Sequence, residues 1–174
     1  MREHEFTLVI DGPVEDEAVL DKLFGIGCSD ATIGSVDGVG YADFHREADS
    51  FAEAVVSALH DIESVPELRV IRIEPDDLVT MAEIAERLSR SRESVRLLVR
   101  GQRGAGDFPP PLSHLRSRSR LWRWSEVAEW AEAGTPEERR NARLVASLNA
   151  ALELRRQRAD LSDVDRSLVE AVAG

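Results

Sequence analysis

Cysteine is almost absent from this 174-residue chain, in which Cys28 is the only example. A single thiol cannot form an internal disulfide, which fits a reducing compartment. No run of about 18 apolar residues occurs, so no transmembrane helix is predicted. The apolar run near the N-terminus is too short for the core of a signal peptide, and acidic residues follow it at once. We therefore expect a cytoplasmic location and no membrane association.

Signatures of catalysis are missing as well. The glycines between Gly25 and Gly40 follow a predicted helix instead of opening one, so they indicate turns and not a nucleotide-binding loop. Cys28 has no basic neighbour in sequence that would lower its pKa, which favours a small apolar role over a nucleophile. We predict no metal, no cofactor and no enzymatic activity. The histidines show no metal-ligand spacing with one another or with Cys28; they are His4, His45, His60 and His114.

Lysine is nearly absent too, because 21 of the 22 basic side chains are arginines. This bias is typical of a GC-rich bacterial genome, so the positions of the arginines carry more information than their choice over lysine. Residues 1–78 carry 5 basic and 19 acidic side chains, whereas residues 87–123 carry 10 and 2. The net charge of -11 is an average over unlike segments. It does not exclude a polyanionic partner.

The acidic N-terminal part shows the pattern of a small α+β domain. β-rich segments end at turn signals, and Asp37-Gly38 between two such segments predicts a hairpin. Residues 14–24 and a segment beginning near Asp49 have apolar residues at helical spacing. The order strand, helix, strand, strand, helix, strand predicts a ferredoxin-like βαββαβ domain over residues 1–75. This domain could pair with itself, bind a small effector, contact a protein partner, or compete with DNA for a basic surface.

The central part, residues 79–133, has the pattern of a winged helix-turn-helix. Thr80 and Glu83 form a predicted capping box at the start of a first helix, and Ser91 is the predicted cap of a second. Two short strands, residues 112–115 and 121–124, flank a polar tip and predict a basic hairpin. Ser125 is the predicted cap of a third helix. In such an arrangement the second helix enters a major groove of DNA while the first braces it.

Arginines of the second helix and the hairpin are the candidate DNA contacts. Arg92, Arg96 and Arg100 follow i, i+4, i+8 spacing on one face of the helix 91–102. The planar fork of arginine bonds guanine O6 and N7 together, or straddles a phosphate. The alternative is a solvated basic face that balances the acidic domain. The predicted DNA-binding residues are Ser91, Arg92, Ser94, Arg96, Arg100, Arg103, Arg116, Arg118 and Arg120.

The segments "VTMAEIAERLSRSRESVRLLVRG" and "FPPPLSHLRSRSRLWRWSEVAEWAEAG" resemble AlpA/excisionase-like and MerR-like bacterial DNA-binding proteins. The resemblance covers residues ~79–133 and implies a compact winged helix-turn-helix with double-stranded DNA as partner. It implies that the second helix and the wing, residues 112–124, carry the contacts. A longer glycine loop, residues 101–107, departs from the pattern. Framework positions, as opposed to contacts, fall on Phe108, Pro109, Trp124, Val127 and Trp130.

A helical tail, residues 135–174, completes the chain. Thr135-Pro136-Glu137-Glu138 is a strong helix start, and the resemblance to MerR-like proteins implies that residues 136–160 dimerise the chain. We therefore expect a homodimeric bacterial transcriptional regulator. The alternative is a protein-protein adaptor or antitoxin-like module that uses the acidic domain on a basic partner.

Overall fold

A computed structural model describes residues 1–104, 106–113 and 119–173. The chain has a mixed α+β fold with a four-stranded antiparallel sheet and seven α-helices among the described residues. Within those residues, none of the helices is both long enough and apolar enough to cross a membrane. The chain forms two compact units: unit 1 comprises residues 1–75 and 147–174, and unit 2 comprises residues 76–146.

Unit 1 contains the sheet. Its elements are β1 Arg2–Asp11, α1 Glu17–Gly25, β2 Ala31–Val36, β3 Val39–Ala48, α2 Phe51–Glu63 and β4 Arg69–Glu74. This succession of strands and helices follows the predicted order. The strands lie in the order β2-β3-β1-β4, and each neighbouring pair is antiparallel. Asp16 caps α1 by accepting from two backbone N–H groups of its first turn, and Ser50 caps α2 by accepting from Glu53 N–H.

Alternation along β1 creates the core of unit 1. Phe6, Leu8 and Ile10 are buried on one face, whereas Glu3 and Glu5 are exposed on the other. This period of two is typical of a half-buried strand, and it ends at Val9, which is buried on the face of the glutamates. Burial of the apolar face against the helices supplies most of the stabilisation.

A buried ion-pair network also belongs to unit 1. The Arg46 guanidinium donates to Asp30 Oδ2 at 2.7 Å and to Asp61 Oδ2 at 2.7 Å, and it lies 4.8 Å from the centre of the Phe44 ring. Burial lowers the pKa of Arg46, but hydrogen bonds to Asp30 and Asp61 outweigh it and raise this pKa above its ordinary value. The network joins β3 to α2 and to the short 3-10 helix Cys28–Asp30.

Unit 2 is built from short elements around one apolar cluster. Trp122 is fully buried, and it packs with Val79, Ile84, Val95 and Val127. The elements are β5 Leu78–Thr80, α3 Met81–Arg87, α4 Arg92–Val99, β6 Leu121–Arg123, α5 Trp124–Trp130 and residues 136–146 of α6, a helix that spans Pro136–Arg158. β5 and β6 form an antiparallel pair in which Val79 lies opposite Trp122.

The strand pairing of the predicted basic hairpin differs in the structure, and the prediction is corrected here. β6 occupies residues 121–123, but its main partner is β5, a strand that the sequence pattern did not predict. Of the other predicted strand, residues 112–115, only two residues are described. Leu112 N–H donates to Leu121 O at 2.8 Å, and Ser113 forms an isolated bridge with Leu121. The remaining residues, 114 and 115, lie outside the described residues, as does most of the predicted tip.

The helical tail, predicted as a segment of its own, divides between the two units at residues 146 and 147. Its capping box is confirmed, because Thr135 N–H donates to Glu138 Oε2 at 2.6 Å and Glu138 N–H to Thr135 Oγ1 at 3.1 Å. α7, Asp163–Ala173, follows α6 within unit 1. The second half of α6 belongs to unit 1 because its side chains bond the backbone of β4.

Candidate nucleic-acid interface

The turn between α3 and α4 is closed by backbone hydrogen bonds. Arg90 N–H donates to Ala85 O at 2.8 Å, and Ser89 N–H donates to Glu86 O at 2.9 Å. Ser89 adopts the left-handed conformation, with φ 51°. These bonds form a Schellman motif, which satisfies the last carbonyls of α3. The chain therefore reverses over a few residues and starts α4 directly after α3.

Ser91 and Thr80 cap these two helices, as predicted. Ser91 Oγ accepts a hydrogen bond from Ser94 N–H at 3.1 Å. Thr80 and Glu83 form the full capping box, which lowers the pKa of Glu83 through the hydrogen bond from Thr80 N–H to its carboxylate. Ser91 thus has a structural role, and its hydroxyl proton stays able to donate to a phosphate.

Arg96 forms an ion pair within α4, whereas the prediction treated it as a free side chain. Its guanidinium donates to both carboxylate oxygens of Glu93, one turn earlier on α4. Hydrogen bonds from Arg96 lower the pKa of Glu93, and the same bonds raise the pKa of Arg96. Both side chains are substantially exposed, so solvent screens the pair. The pair uses Nε and Nη2 of Arg96, and Nη1 takes no part in it.

The other predicted cations lie at the surface of unit 2. Arg92 is exposed in the first turn of α4, Arg100 is exposed at its C-terminal cap, and Arg103 is exposed in the following loop. Arg120 is half-buried next to β6. Sequence reasoning missed Arg90, which is exposed in the turn immediately before α4. The predicted contacts Arg116 and Arg118 lie outside the described residues, as does His114.

The tryptophans form the framework beneath this surface, as predicted. Trp122 Nε1 donates to Pro109 O at 3.2 Å, and Trp130 Nε1 donates to Gly106 O at 3.0 Å. Phe108 packs edge-on against Trp130 with ring centroids 4.9 Å apart. The half-buried Trp124 ring lies 5.0 Å from the Arg87 guanidinium carbon. The indole N–H groups of Trp122 and Trp130 thus have partners, which tie Pro109 to β6 and Gly106 of the glycine loop to α5.

Asp77 holds the start of α5, and sequence reasoning missed it. Its buried carboxylate accepts hydrogen bonds from Ser125 N–H at 2.6 Å and from Ser125 Oγ at 3.0 Å. Its backbone carbonyl accepts a further bond from Trp124 N–H at 2.6 Å. The predicted role of Ser125 as N-cap is wrong, since α5 begins at Trp124 and Ser125 is its second residue. The carboxylate that caps this helix comes from 48 residues earlier, which no local pattern reveals.

Two features of unit 1 bear on the predicted absence of catalysis. Burial raises the pKa of the Cys28 thiol to about 11, with a further contribution from the charge of Asp61. Separately, ligand atoms of Glu3, Glu5 and His45 lie within 4.8 Å of one another on the exposed face of β1 and β3. The strand pairing creates this group, so sequence spacing did not reveal it. Exposed acidic groups are commonly found together without an ion, and we assign no metal here.

Comparison with known proteins found no matching family model, curated protein or solved structure.

Proposed function

We propose that this protein is a bacterial cytoplasmic transcriptional regulator that binds duplex DNA through unit 2. In this proposal unit 2 is a winged helix-turn-helix of the AlpA or MerR-like kind, and the sheet with α1 and α2 is a ferredoxin-like domain. The observation that supports it most directly is the exposed basic face of α4. This helix follows α3 after a tight turn and is anchored by buried Val95 and Leu98.

The proposed DNA contacts of α4 fall into two classes, those to phosphates and one to a base. Arg92 lies at the N-terminus of α4, where a cation opposes the helix dipole unless it meets an anion such as a phosphate. Ser91 and Ser94 lie in the same turn and add hydroxyl donors. Arg96 is the proposed base contact, with Glu93 as the group that orients it and accepts from cytosine N4. Arg100 and Arg103 continue the basic surface towards phosphates.

The wing supplies the second set of contacts in this proposal. Arg120 stands next to β6, and Arg116 and Arg118 precede it in sequence. Serines separate these arginines, so that short donors alternate with long ones. Contacts of this kind suit a minor groove or its adjacent phosphates. A homodimer would bind two half-sites about one helical turn apart, roughly 34 Å.

Salt-dependent binding tests the proposal. If about six phosphates are neutralised, a plot of log K against log salt concentration should have a slope near -5. We would measure fluorescence anisotropy of a labelled duplex of random sequence with the full chain. Absence of binding at low salt, or an affinity independent of salt, would eliminate DNA binding as the function.

Single substitutions separate base contacts from phosphate contacts. Arg96→Ala should relax sequence preference in a selection of bound DNA, by roughly tenfold at the affected base pair. Arg118→Ala should weaken binding to all sequences and reduce the salt slope by about 1. Arg140→Ala, an exposed arginine of α6 outside the proposed interface, is the matched control. If Arg96→Ala and Arg118→Ala both bind like the control, the arginines are only a solvated face.

A second candidate, the adaptor or antitoxin-like module, is favoured by the exposed face of β1 and β3. Glu3 lies directly opposite Glu47, and Glu5 lies opposite His45. Like charges opposite each other destabilise a sheet unless a cation joins them. A labelled octa-arginine peptide should therefore bind the full chain and lose affinity in a Glu3→Gln, Glu5→Gln, Glu47→Gln variant. Equal affinity for both proteins would remove this candidate.

A further inference from the structure

The outer edge of β4 is covered by side chains and not by another strand. Asn149 of α6 accepts from Ile73 N–H at 2.8 Å and donates to Ile73 O at 2.9 Å. Further along the strand, Glu63 accepts from Val70 N–H at 3.1 Å and Arg155 donates to Val70 O at 2.9 Å. These bonds satisfy backbone groups that an edge strand otherwise exposes. α6 is thereby fixed along β4 at two separate points.

A cleft of about 340 Å³ lies at the Val70 end of this contact. Small-molecule sites typically occupy roughly 300–1,000 Å³. Val70 and Leu152 are buried in its wall, and Ile71 is half-buried. Ile71 is the extra residue of a β-bulge, because Val9 pairs with Arg72 and Ile10 pairs with Val70. Bulges are frequent beside functional sites, where they redirect a side chain.

Two opposite charges stand at the rim of this cleft. Asp11 and Arg69 are exposed lining residues and lie directly opposite each other on β1 and β4. In the described part of the chain, no ion pair joins them. Arg69 Nη1 donates only to the backbone, to Pro66 O at 3.2 Å and Leu68 O at 2.6 Å. By contrast, Arg155 and Arg156, which also line the cleft, are each paired with a glutamate, Glu63 and Glu153 respectively.

We propose that this cleft binds a small zwitterion with an apolar side chain, the chemistry of an aliphatic or aromatic α-amino acid. Arg69 takes the carboxylate, since its planar fork matches two oxygens. Asp11 takes the ammonium group, and Val70, Ile71 and Leu152 contact the apolar side chain. A singly charged ligand would satisfy only one of the two rim residues. The proposal concerns unit 1 alone, and it is independent of DNA binding by unit 2.

Ligand analogues test each part of the proposal. Isothermal titration calorimetry of the full chain should show binding of L-leucine or L-phenylalanine, with a dissociation constant of about 1 mM or below. The analogues 4-methylpentanoate, which lacks the ammonium group, and 3-methylbutylamine, which lacks the carboxylate, should each bind at least tenfold more weakly than L-leucine. Glycine, which lacks the side chain, should show the same loss. Failure of both amino acids to bind, or equal binding of L-leucine and 4-methylpentanoate, would overturn the proposal.

Substitutions at the rim assign the two charges. Asp11→Asn should weaken L-leucine binding at least tenfold and leave 4-methylpentanoate unchanged, whereas Arg69→Gln should weaken both. Arg72→Gln is the matched control, because it removes an exposed arginine of the same strand that pairs with Glu74 outside the cleft. If Arg69→Gln lowers the melting temperature, its loss of affinity can come from unfolding. The affinity of Asp11→Asn for L-leucine then decides whether the proposal holds. Unchanged affinity for L-leucine in Asp11→Asn contradicts the assignment.

Discussion

Residues in the left-handed conformation end three helices of unit 2, and only one of them is a glycine. Ser89, Gly101 and Glu132 follow α3, α4 and α5, with φ values of 51°, 66° and 50°. At each end the two backbone hydrogen bonds of a Schellman motif are present. A residue with a Cβ is strained at such a position, whereas glycine is not. The two non-glycine ends are therefore sites where stability can be gained.

Ser89→Gly should raise the free energy of unfolding by about 0.5–1 kcal/mol, because relief of strain exceeds the entropy lost by glycine on folding. Gly101→Ala should lower it by a similar amount, since alanine must then adopt a positive φ. Urea denaturation of both variants measures the effect, and Ser91→Ala, which removes a helix cap, gives a reference loss of about 1 kcal/mol. A destabilised Ser89→Gly variant would contradict the strain argument.

Cys28 links stability to alkaline pH. Its pKa is about 11 in the folded chain against an ordinary value of 9.0. Because the pKa of Cys28 is raised in the folded chain, its contribution to the free energy of unfolding is fully present below pH 9.0. This contribution is lost as the pH rises towards 11. The free energy of unfolding should fall in this window by about 1.4 kcal/mol per pH unit. Urea titrations at several pH values should show a smaller slope for Cys28→Ala, and parallel slopes would refute the assignment.

At the scale of elements, α5 shows how a helix end can depend on a distant residue. Its first turn receives the side chain and the carbonyl of Asp77, which immediately precedes β5. Arg123 approaches the same carboxylate, with 3.6 Å between Nη1 and Oδ2. The hydrogen bonds of one buried carboxylate thus fix α5 beside the β5–β6 pair, which positions the base of the proposed wing.

Asp77→Ala should destabilise unit 2 by about 2–4 kcal/mol, because it leaves the buried N–H and hydroxyl of Ser125 without acceptors. Asp77→Asn keeps one acceptor oxygen and should cost less. Asp76→Ala is the control, since within the described residues the Asp76 carboxylate accepts a single hydrogen bond, from Leu78 N–H at 3.3 Å. Thermal unfolding followed by Trp fluorescence reports on Trp122, Trp124 and Trp130. A loss no greater than that of Asp76→Ala would show that Asp77 is not needed to hold α5.

At the scale of the whole molecule, charge is segregated along the chain. Of the 19 acidic residues of 1–78, 17 belong to unit 1, whereas the arginines of 87–123 all belong to unit 2. If unit 2 binds DNA as proposed, its basic surface sets the number of phosphates that are neutralised. In that proposal the acidic residues oppose DNA binding through the long-range field, which salt screens over about 10 Å at 0.1 M.

Replacement of Glu3, Glu5 and Glu47 by glutamine changes the net charge from -11 to -8, since three carboxylates are removed. We expect DNA affinity to rise roughly two- to tenfold at low salt and to converge with that of the wild type at high salt. The reduction in salt slope on Arg118→Ala should be the same in both backgrounds. Anisotropy titrations over a salt series measure both quantities. An affinity gain that persists at high salt would instead indicate direct competition between the acidic face and DNA.

Local signals in the sequence predicted a substantial part of this structure. Thr80 with Glu83, Thr135 with Glu138, and Ser91 are confirmed as caps, because each bond spans three residues. The residues that prediction missed act over long separations. β5 has only three residues and exists through its pairing with β6. The pairing of Arg96 with Glu93 is an exception, because it spans only three residues and was still not predicted.

The amino-acid sequence by itself determined the starts of α3, α4 and α6, which strand faces are apolar, and that positive charge is concentrated in residues 87–123. These properties depend on neighbours within one or two turns, so the chain encodes them locally. Tertiary structure alone decided that Asp77 caps α5, that Asn149 and Arg155 cover the edge of β4, and that Asp11 meets Arg69 beside an apolar cleft. The physical reason is the same in each case. A polar group has partners within reach only after packing has brought distant segments together, and burial then makes those partners necessary.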